Sequence, residues 1–272
     1  MGERTKIELH LGDCVEGMRQ QLPDESVDLV VTSPPYNLGI DYGKYKDSRP
    51  VDEFLEWCLT WAGEIKRVLK PDGSFFLNIG AAPSNPLLPH QLLLALTPEL
   101  FVLQNTFHWV KSITVQPRKG EPVSVGHFKP INSKRFVNDC HEFLYHFTKT
   151  GDVPLDRRGA GVPYADKSNI ARWGHTDGKD RRCRGNTWFV PYQTINRRSA
   201  DRPHPATFPS ELAAMCIRIV TPAPAQITML EPFLGIGHAG LAARDEGVKR
   251  FVGFEIDEDY FQEAKERLTT LL

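Results

Sequence analysis

The tetrapeptide Ser33-Pro34-Pro35-Tyr36 stands directly after the apolar run VDLVVT of residues 27–32. Two consecutive prolines fix φ at both positions and remove two backbone N–H donors, so the loop can present carbonyl oxygens without a competing donor nearby. The hydroxyl of Ser33 is a further hydrogen-bond acceptor, and Tyr36 supplies a flat aromatic ring. The tetrapeptide therefore predicts a site that places acceptors and a ring at the end of a strand. An ordinary turn is the alternative, because Pro-Pro marks turns in many proteins.

A second stretch, Glu231-Pro232-Phe233-Leu234-Gly235-Ile236-Gly237, has the composition of a cofactor-binding turn. In doubly wound sheets a glycine-rich turn lets a cofactor approach the backbone, and an acid about 20 residues later binds ribose hydroxyls. Glu255 stands at that distance, near the end of the run KRFVGFEID. Because the turn opens with an acid and lacks the full pyrophosphate pattern, it indicates a cofactor with an adenosine but no diphosphate, which S-adenosylmethionine fits. A plain strand-to-helix turn and a solvated acid are the alternatives.

Strands and helices alternate along the chain, which predicts a mostly parallel sheet in an α/β domain. The uniformly apolar residues 27–32 suit a central strand buried on both faces. We predict strands at residues 6–12, 27–32, 74–80, 105–111, 141–149, 227–230 and 249–257. We predict helices at 15–22, 52–70 (ended by Pro71-Asp72-Gly73), 87–100, 209–220 (with Ser210 as a cap), 241–247 and 258–268. Residues 113–138 and 150–207 resist assignment, and loops of this length are uncommon unless they serve a function or are disordered.

Composition limits the class of protein. The 272 residues suit one large α/β domain with an insertion. The formal net charge of -1 gives no overall preference for nucleic acid, so any basic surface must be local. Five cysteines without a C-x-x-C pair and nine scattered histidines favour free thiols over a zinc site or a disulfide framework. With no signal-peptide core and no apolar run near the roughly 20 residues of a membrane span, we expect a soluble, cytoplasmic protein that needs no metal.

The two motifs together resemble those of the amino-methyltransferases of DNA, whose catalytic motif is [DNS]-P-P-[YFW] and whose cofactor motif is a variant of [DE]-P-F-x-G-x-G. Here the catalytic motif comes first, about 200 residues before the cofactor motif. That order resembles the permuted, beta group of the family. The segments LHLGDCVEGM (9–18), LKPDGSFFLNIG (69–80) and HPATFP (204–209) resemble further family segments, so the resemblance covers most of the chain.

The resemblance implies an α/β, Rossmann-like methyltransferase fold: a mostly parallel seven-stranded sheet with helices on both faces, circularly permuted motif order, and an irregular target-recognition insertion. It divides the chain into a catalytic part at 1–111, a target-recognition insertion at 112–203 that includes one sheet strand near 141–147, and a cofactor-binding part at 204–272.

The resemblance also implies which residues contact S-adenosylmethionine, drawn from both ends of the chain. Asp13 has an alternative role as the cap of the helix that follows it. The segment at 204–209 would help to close the methionine end of the pocket. The implied cofactor contacts are Asp13, Cys14, Thr32, His204, Pro205, Phe208, Glu231, Pro232, Phe233, Gly235, Gly237, Glu255 and Ile256.

The implied reaction explains the residues Ser33, Pro34, Pro35 and Tyr36. An exocyclic base amine is a poor nucleophile because its lone pair is delocalised into the ring. The Ser33 hydroxyl and the Pro34 carbonyl would accept its two protons and direct the lone pair at the methyl group. Tyr36 would stack on a base that has been flipped out of the duplex. In this family SPPY tends to accompany N4-cytosine methylation, whereas DPPY or NPPY tends to accompany N6-adenine methylation, so cytosine is favoured and adenine is the alternative.

Duplex DNA is the expected partner, and residues 167–202 are rich in arginine, lysine and aromatic side chains. A basic loop in a nearly neutral chain is a suitable place for phosphate contacts, although a solvated loop is the alternative. Trp109 and Lys111 could bracket the flipped base, or Trp109 could be an ordinary core residue. The candidate DNA contacts are Asn37, Trp109, Lys111, Arg118, Lys129, Lys134, Arg135, Arg172, Arg181, Arg182, Arg184, Arg197 and Arg198.

Other functions are less well supported. RNA or protein-amide methyltransferases with a similar motif usually place the cofactor motif first, and a DNA-binding module without catalysis would not need both motifs intact. A cognate restriction endonuclease acting on the same site is a candidate functional partner. We expect a monomer or a homodimer with no membrane partner.

Overall fold

The computed structural model describes residues 4–42, 44–83, 85–115, 123–125, 134–137, 139–192 and 207–269. The strands are β1 (Lys6–Leu11), β2 (Val27–Thr32), β3 (Asp41–Tyr42), β4 (Tyr45–Lys46), β5 (Leu69–Ile79), β6 (Val102–Val115), β7 (Val123–Val125), β8 (His141–Thr148), β9 (Thr187–Tyr192), β10 (Thr228–Glu231) and β11 (Arg250–Glu255). The helices are α1 (Cys14–Gln21), α2 (Val51–Val68), α3 (Leu88–Leu96), α4 (Ser168–Arg172), α5 (Ser210–Val220), α6 (His238–Asp245) and α7 (Glu258–Thr269). None of these helices is long and apolar enough to cross a membrane.

Nine strands form one mixed sheet in the order β1-β11-β10-β2-β5-β8-β6-β7, with β9 also paired to β6. The first five strands in this order are parallel to their neighbours, and β8 is antiparallel to β5 and β6. All seven predicted strands are present. The two additional strands, β7 and β9, come from stretches that the sequence left unassigned. Strand β7 pairs with the part of β6 that runs beyond the end of β8, and β9 pairs in parallel with residues His108–Ile113 of β6.

The core lies in two layers, one on each face of the sheet. Leu29 and Val31 of β2 pack on the face covered by α5 and α6. Val27 and Val30 pack on the opposite face, with residues of α1, α2 and α3. This two-sided burial explains why β2 is apolar throughout instead of alternating.

Two predicted helix boundaries need correction. Helix α2 ends at Val68, and the segment Pro71-Asp72-Gly73 lies within β5 rather than after the helix. The register of β5 against β2 shifts there, since Leu69 pairs with Val27 and Ser74 with Leu29. Helix α5 begins at Ser210, but the N-cap is Pro209 and no side chain caps the helix, so the predicted cap was wrong.

The chain leaves β10 and β2 in opposite directions across the sheet. From β10 it passes through α6 to β11 on one side, and from β2 it passes through α2 to β5 on the other. Such a point, where neighbouring parallel strands diverge, opens a crevice at the carboxyl ends of the strands and is the usual ligand site of open α/β sheets.

Candidate active site

The crevice between β10 and β2 brings the two sequence motifs together. Strand β2 ends at Thr32 and continues into Ser33, while the neighbouring β10 ends at Glu231 and continues into the glycine turn. The Thr32 hydroxyl donates a hydrogen bond to Oε1 of Glu231, which joins the two strand ends. The predicted juxtaposition of motifs about 200 residues apart is therefore present.

Buried carboxylates shape the glycine turn. The Phe233 N–H donates to Oε1 of Glu231 at 3.1 Å, and the Gly235 N–H donates to Oε2 of Glu255 at 2.7 Å. Gly235 and Gly237 have φ of 52° and 86°, a region that glycine enters without the cost a Cβ would bring. Burial raises the pKa of both carboxyl groups, and the hydrogen bonds that they accept oppose this shift. Hydrogen bonds to Glu231 at the end of β10 and to Glu255 at the end of β11 thus hold the backbone of the turn.

Two exposed apolar side chains lie beside this turn, at the ends of β1 and β11. Leu11 and Glu255 are paired in register, and the Gly12 N–H donates to the Glu255 carbonyl at 2.7 Å. Leu11 and Ile256 are 47% and 45% exposed, unusual values for large apolar side chains beside a core. A Cβ built on Gly12 would meet no atom within 4 Å, so space is open there.

These residues fit a nucleoside cofactor. Leu11 and Ile256 offer apolar side chains for a flat base, and Glu255 offers carboxylate lone pairs for ribose hydroxyls. The turn at residues 231–240 contains no lysine or arginine that would counter a diphosphate. The donor set therefore suits S-adenosylmethionine, as the sequence predicted.

Other predicted cofactor residues have structural roles in the described chain. Oδ1 of Asp13 accepts from the N–H groups of Val15 and Glu16 at 2.9 and 3.1 Å, so the cap role that was the alternative is present. The Cys14 side chain is buried, and burial raises the pKa of its thiol. A cofactor contact by Asp13 or Cys14 stays a prediction.

Three apolar members of the predicted cofactor set lie close to the glycine turn. Pro232 is buried, and the Phe233 ring packs edge-on against Trp57 and Trp61 at 5.6 and 5.5 Å between centroids. The Phe208 side chain is buried in the core, and its carbonyl oxygen lies 2.7 Å from Nδ1 of His238, at the start of α6. His204 and Pro205 lie outside the described residues.

The tetrapeptide Ser33–Tyr36 is held by a hydrogen-bond network that the sequence did not reveal. Oγ of Ser33 lies 2.6 Å from the Tyr36 hydroxyl, which donates to Oε2 of Glu142 at 2.9 Å. The Asn78 amide donates to the Tyr36 oxygen at 2.6 Å and to Oε2 of Glu142 at 2.5 Å. Lys111 forms an ion pair with Oε1 of Glu142 at 2.6 Å. Glu142 and Asn78 were missed; the only sequence signal is that each is a polar residue inside an apolar strand.

Tyr36 is a core residue as well as a member of this network. Its side chain is 8% exposed, and its Cε2 would lie 3.2 Å from a Cβ on Gly80, so only glycine fits there without displacing a neighbour. Burial and the negative charge of Glu142 raise the pKa of Tyr36 well above its usual value, which keeps its hydroxyl protonated. The burial leaves little ring surface for stacking on a base, and that role stays a prediction.

Asn37, which was predicted to contact DNA, closes the loop after the tetrapeptide. It adopts φ of 59°, and its amide donates to the Arg49 carbonyl at 2.8 Å while accepting from the Arg49 N–H at 2.6 Å. The buried Asp47 carboxylate accepts from the N–H groups of Asn37, Leu38 and Ile40. Both polar groups of the Asn37 side chain are thus engaged within the chain, and a DNA contact by Asn37 stays a prediction.

Trp109 takes the core role that was its alternative. It is 4% exposed and its indole N–H donates to the Val190 carbonyl at 3.0 Å, which leaves little ring surface for a flipped base, and the bracketing role stays a prediction. Lys111 lies near the tetrapeptide, as predicted, with its Nζ 5.8 Å from the Trp109 ring centroid. Its ammonium is paired with Glu142.

Two of the basic residues predicted to bind DNA hold the insertion in place. The Arg181 guanidinium donates to the carbonyls of Arg158 and Gly159, both at 2.6 Å, and Nε of Arg184 donates to that of Ala160 at 2.9 Å. This part of the insertion packs on the last turn of α5, because the Asp156 N–H donates to the Ile219 carbonyl at 2.8 Å. That end of α5 precedes β10 and lies at the amino edge of the sheet, opposite the tetrapeptide, so we assign Arg181 and Arg184 to holding the insertion.

The remaining basic candidates are divided between exposed and undescribed positions. Arg172, Arg182, Lys134 and Arg135 are exposed. Arg172 lies 3.3 Å from the Ser168 hydroxyl, one turn away on α4. Arg118, Lys129, Arg197 and Arg198 lie outside the described residues.

Comparison with known proteins agrees with this geometry. A family model described as DNA methylase, N6_N4_Mtase, matches residues 27–266. The chain is 31% identical over 271 residues to the type II methyltransferase M.ScaI of Streptomyces caespitosus, which covers 98% of this chain and 82% of that protein.

Two solved structures share the fold. The PvuII DNA methyltransferase, described as cytosine-N4-specific, superposes with a TM-score of 0.71 at 23% identity, covering 97% of this chain and 86% of that one. A protein of Thermus thermophilus described as a DNA modification methylase, complexed with S-adenosyl-L-methionine, gives 0.62 at 25% identity, covering 97% and 93%. These similarities confirm the predicted α/β methyltransferase fold.

Proposed function

Because this chain belongs to the N6/N4 family of DNA methylases, we propose that it methylates the exocyclic N4 of a cytosine in duplex DNA, with S-adenosylmethionine as the methyl donor. The observation that carries the proposal is the position of Ser33: a neutral hydroxyl follows the end of β2 at the crevice, beside the glycine turn that follows β10.

The chain's residues would hold the cofactor at one end of the crevice. When bound there, S-adenosylmethionine supplies a methyl group carried on a positively charged sulfur. Glu255 would accept hydrogen bonds from ribose hydroxyls, and Leu11 and Ile256 would cover the adenine ring. The fixed backbone of Gly235 and Gly237 would let the cofactor approach closely.

The tetrapeptide would bind the target amine at the other end of the crevice. The Ser33 hydroxyl and the Pro34 carbonyl would accept the two amine protons, which localises the nitrogen lone pair and aims it at the methyl carbon. The base must leave the duplex to reach this site. Holding both reactants in line supplies much of the rate acceleration, since it replaces a bimolecular encounter with a step between positioned groups.

The choice of cytosine over adenine follows from the resemblance of SPPY to N4-specific members of the family. A serine stands where adenine-specific members tend to have aspartate or asparagine. Adenine N6 is the alternative target, because a hydroxyl acceptor can serve either amine.

The insertion at residues 112–203 would read the DNA sequence. Exposed basic residues such as Arg172 and Arg182 are candidates for phosphate contacts, which would position the duplex without specifying its sequence. The similarity to a type II methyltransferase supports a role beside a restriction endonuclease of the same specificity, acting on DNA in the cytosol of a prokaryote.

Transfer of a tritiated methyl group from S-adenosylmethionine tests the proposal. We expect label in duplex DNA and none in RNA. The Ser33→Ala variant should lose transfer by about 100-fold or more, since removal of one positioned catalytic hydrogen-bonding group commonly has that effect. Its cofactor affinity, measured by calorimetry, should be unchanged. Label in RNA alone would reject DNA as the substrate, and a fully active Ser33→Ala variant would reject the role of Ser33.

A further inference from the structure

The direction of the hydrogen bonds around Tyr36 is determined by the chemistry of its partners. An ionised carboxylate only accepts, so the Tyr36 hydroxyl proton is directed at Oε2 of Glu142, 2.9 Å away. The Asn78 amide donates to the Tyr36 oxygen at 2.6 Å. With the only Tyr36 proton engaged, the 2.6 Å contact with Ser33 must use the serine proton. The order of donation is therefore Ser33 to Tyr36 to Glu142.

This order leaves Ser33 as a pure acceptor towards the crevice. Its one proton is engaged with Tyr36, so only lone pairs of Oγ remain for another group. The chain of hydroxyls also links that oxygen to a carboxylate. A neutral serine thereby gains, through two hydrogen bonds, the partial negative character that aspartate has intrinsically.

Glu142 is positioned for this by groups on two neighbouring strands. Lys111 of β6 pairs with its Oε1 at 2.6 Å, and Asn78 of β5 donates to its Oε2 at 2.5 Å. Tyr42 of the β3–β4 hairpin is the further titratable group near it: burial, then the charges of Asp47 and Glu142, raise the pKa of Tyr42. Glu142 itself is 8% exposed. A buried carboxylate without a partner would be strongly unfavourable, and the Lys111 ammonium provides the compensating charge.

We propose that Glu142 is a positioning residue for methyl transfer and the final acceptor of the proton that the target amine loses, a proposal that rests on the function given above. The amine nitrogen uses its lone pair to bond to the methyl carbon, and the carbon–sulfur bond breaks with its electron pair left on sulfur. The nitrogen, now positively charged, then passes one proton to Oγ of Ser33. The Ser33 proton moves to Tyr36 and the Tyr36 proton moves to Glu142, so that a carboxylate becomes a carboxylic acid and both hydroxyls are regenerated.

Two variants distinguish this proton transfer from Ser33 through Tyr36 to Glu142, here called the relay, from a purely structural role of Glu142. In Glu142→Gln the amide oxygen can still accept from Tyr36, while the Lys111 ammonium loses its ion-pair partner, so a purely structural role would lower the unfolding temperature rather than the rate of the folded variant. The relay predicts a fall in the single-turnover methylation rate of about 100-fold, within the range of general acid–base catalysis, with KM for DNA and cofactor affinity within about twofold. Tyr36→Phe interrupts the relay in the middle and should lose rate to a similar extent. The methylation rate of the double variant should be no lower than that of either single variant, because both changes interrupt the same relay.

The control is Glu64→Gln, which removes a carboxylate paired with Arg19 and Arg67 on the far side of α2 and should keep full activity. Thermal unfolding and calorimetric cofactor binding establish that each variant is folded. If Glu142→Gln or Tyr36→Phe is folded and methylates DNA at the wild-type rate, the relay is wrong while the proposed function stands. If the wild-type protein transfers no methyl group to DNA, the proposed function fails first.

Discussion

At the scale of single residues, the crevice is organised by buried carboxylates that accept hydrogen bonds from the loops around it. Glu231 and Glu255 hold the glycine turn, Asp47 holds the loop after the tetrapeptide, and Glu142 holds Tyr36. Buried charged groups are tolerated when they are fully hydrogen-bonded, and each of these accepts at least two bonds or a bond and an ion pair. The same groups therefore contribute to stability and to the geometry of the site.

The ion pair between Glu8 of β1 and Arg250 of β11 predicts how the stability of the fold changes with pH. The Arg250 guanidinium, with a smaller contribution from Lys6, holds the pKa of Glu8 at about 2 against the opposing effect of burial. Nη2 and Nε of Arg250 donate to the two oxygens of the Glu8 carboxylate, at 2.6 and 3.2 Å. A lowered carboxyl pKa stabilises the folded state above the unfolded pKa of 4.5, and that stability is lost as the pH falls towards 2. Glu8→Gln should therefore lower the free energy of unfolding by about 1–3 kcal/mol at pH 7.

Urea denaturation at pH 7, 4 and 3 measures this effect. The difference in the free energy of unfolding between wild type and Glu8→Gln should become smaller as the pH falls. The Glu56→Gln variant, changed at an exposed residue, should have almost the same free energy of unfolding as the wild type at all three pH values. A difference that stays constant over this range would mean that packing, rather than charge, explains the loss.

Sequence reasoning selected residues that belong to contiguous motifs and did not select their partners on distant strands. Ser33, Tyr36, Glu231 and Glu255 were proposed as site residues because their spacing carries the pattern. Glu142 was not, since it meets Tyr36 only when β8 is paired with β5 in the observed register. The sequence also did not predict whether the Trp109 side chain is buried or exposed, because tryptophan occurs both in cores and on binding surfaces.

At the scale of elements, the segment at residues 150–186 contacts the rest of the domain at several places, and one of them is a close backbone contact with α5. Gly159 lies against the last turn of α5, where an added Cβ would overlap the Arg218 carbonyl oxygen. The neighbouring Asp156 N–H donates to the Ile219 carbonyl. Only glycine allows this approach, so the docking of the insertion depends on position 159.

Gly159→Ala should therefore displace the insertion from α5. We expect the free energy of unfolding to fall by about 1–3 kcal/mol, the usual cost of forcing an extra carbon into a packed site. Trypsin should then cleave faster within residues 150–186 than in the wild type. Gly174→Ala is the matched control in the same segment, because an added Cβ there meets nothing within 4 Å. Equal behaviour of the two variants would show that the contact does not hold the insertion.

The regular elements were predicted to within a few residues because their apolar periodicity is strong, whereas the insertion was not. Strands β7 and β9 pair with β6, and nothing in their own short sequences indicates that partner. The extension of β5 through Pro71-Asp72-Gly73 was missed for a related reason: proline and glycine usually end elements, but here they occupy a register shift inside the sheet.

At the scale of the whole molecule, the two ends of the chain form one side of the cofactor crevice. Strand β1 pairs with β11 in parallel over all six residues of each, and Gly12 and Glu255 are hydrogen-bonded at their carboxyl ends. The tetrapeptide Ser33–Tyr36 and the glycine turn then meet at the centre of the sheet, at the ends of β2 and β10. The pairing of the two terminal strands and of β2 with β10 thus brings together segments that lie about 200 residues apart in the sequence.

The identity of the methylated base is the most direct test of the account. The protein is expressed in a host that lacks its own DNA methylation, and the genomic DNA is digested to nucleosides and analysed by mass spectrometry. The account predicts N4-methylcytosine with the wild-type protein and none with Ser33→Ala. N6-methyladenine without N4-methylcytosine would contradict the proposed target.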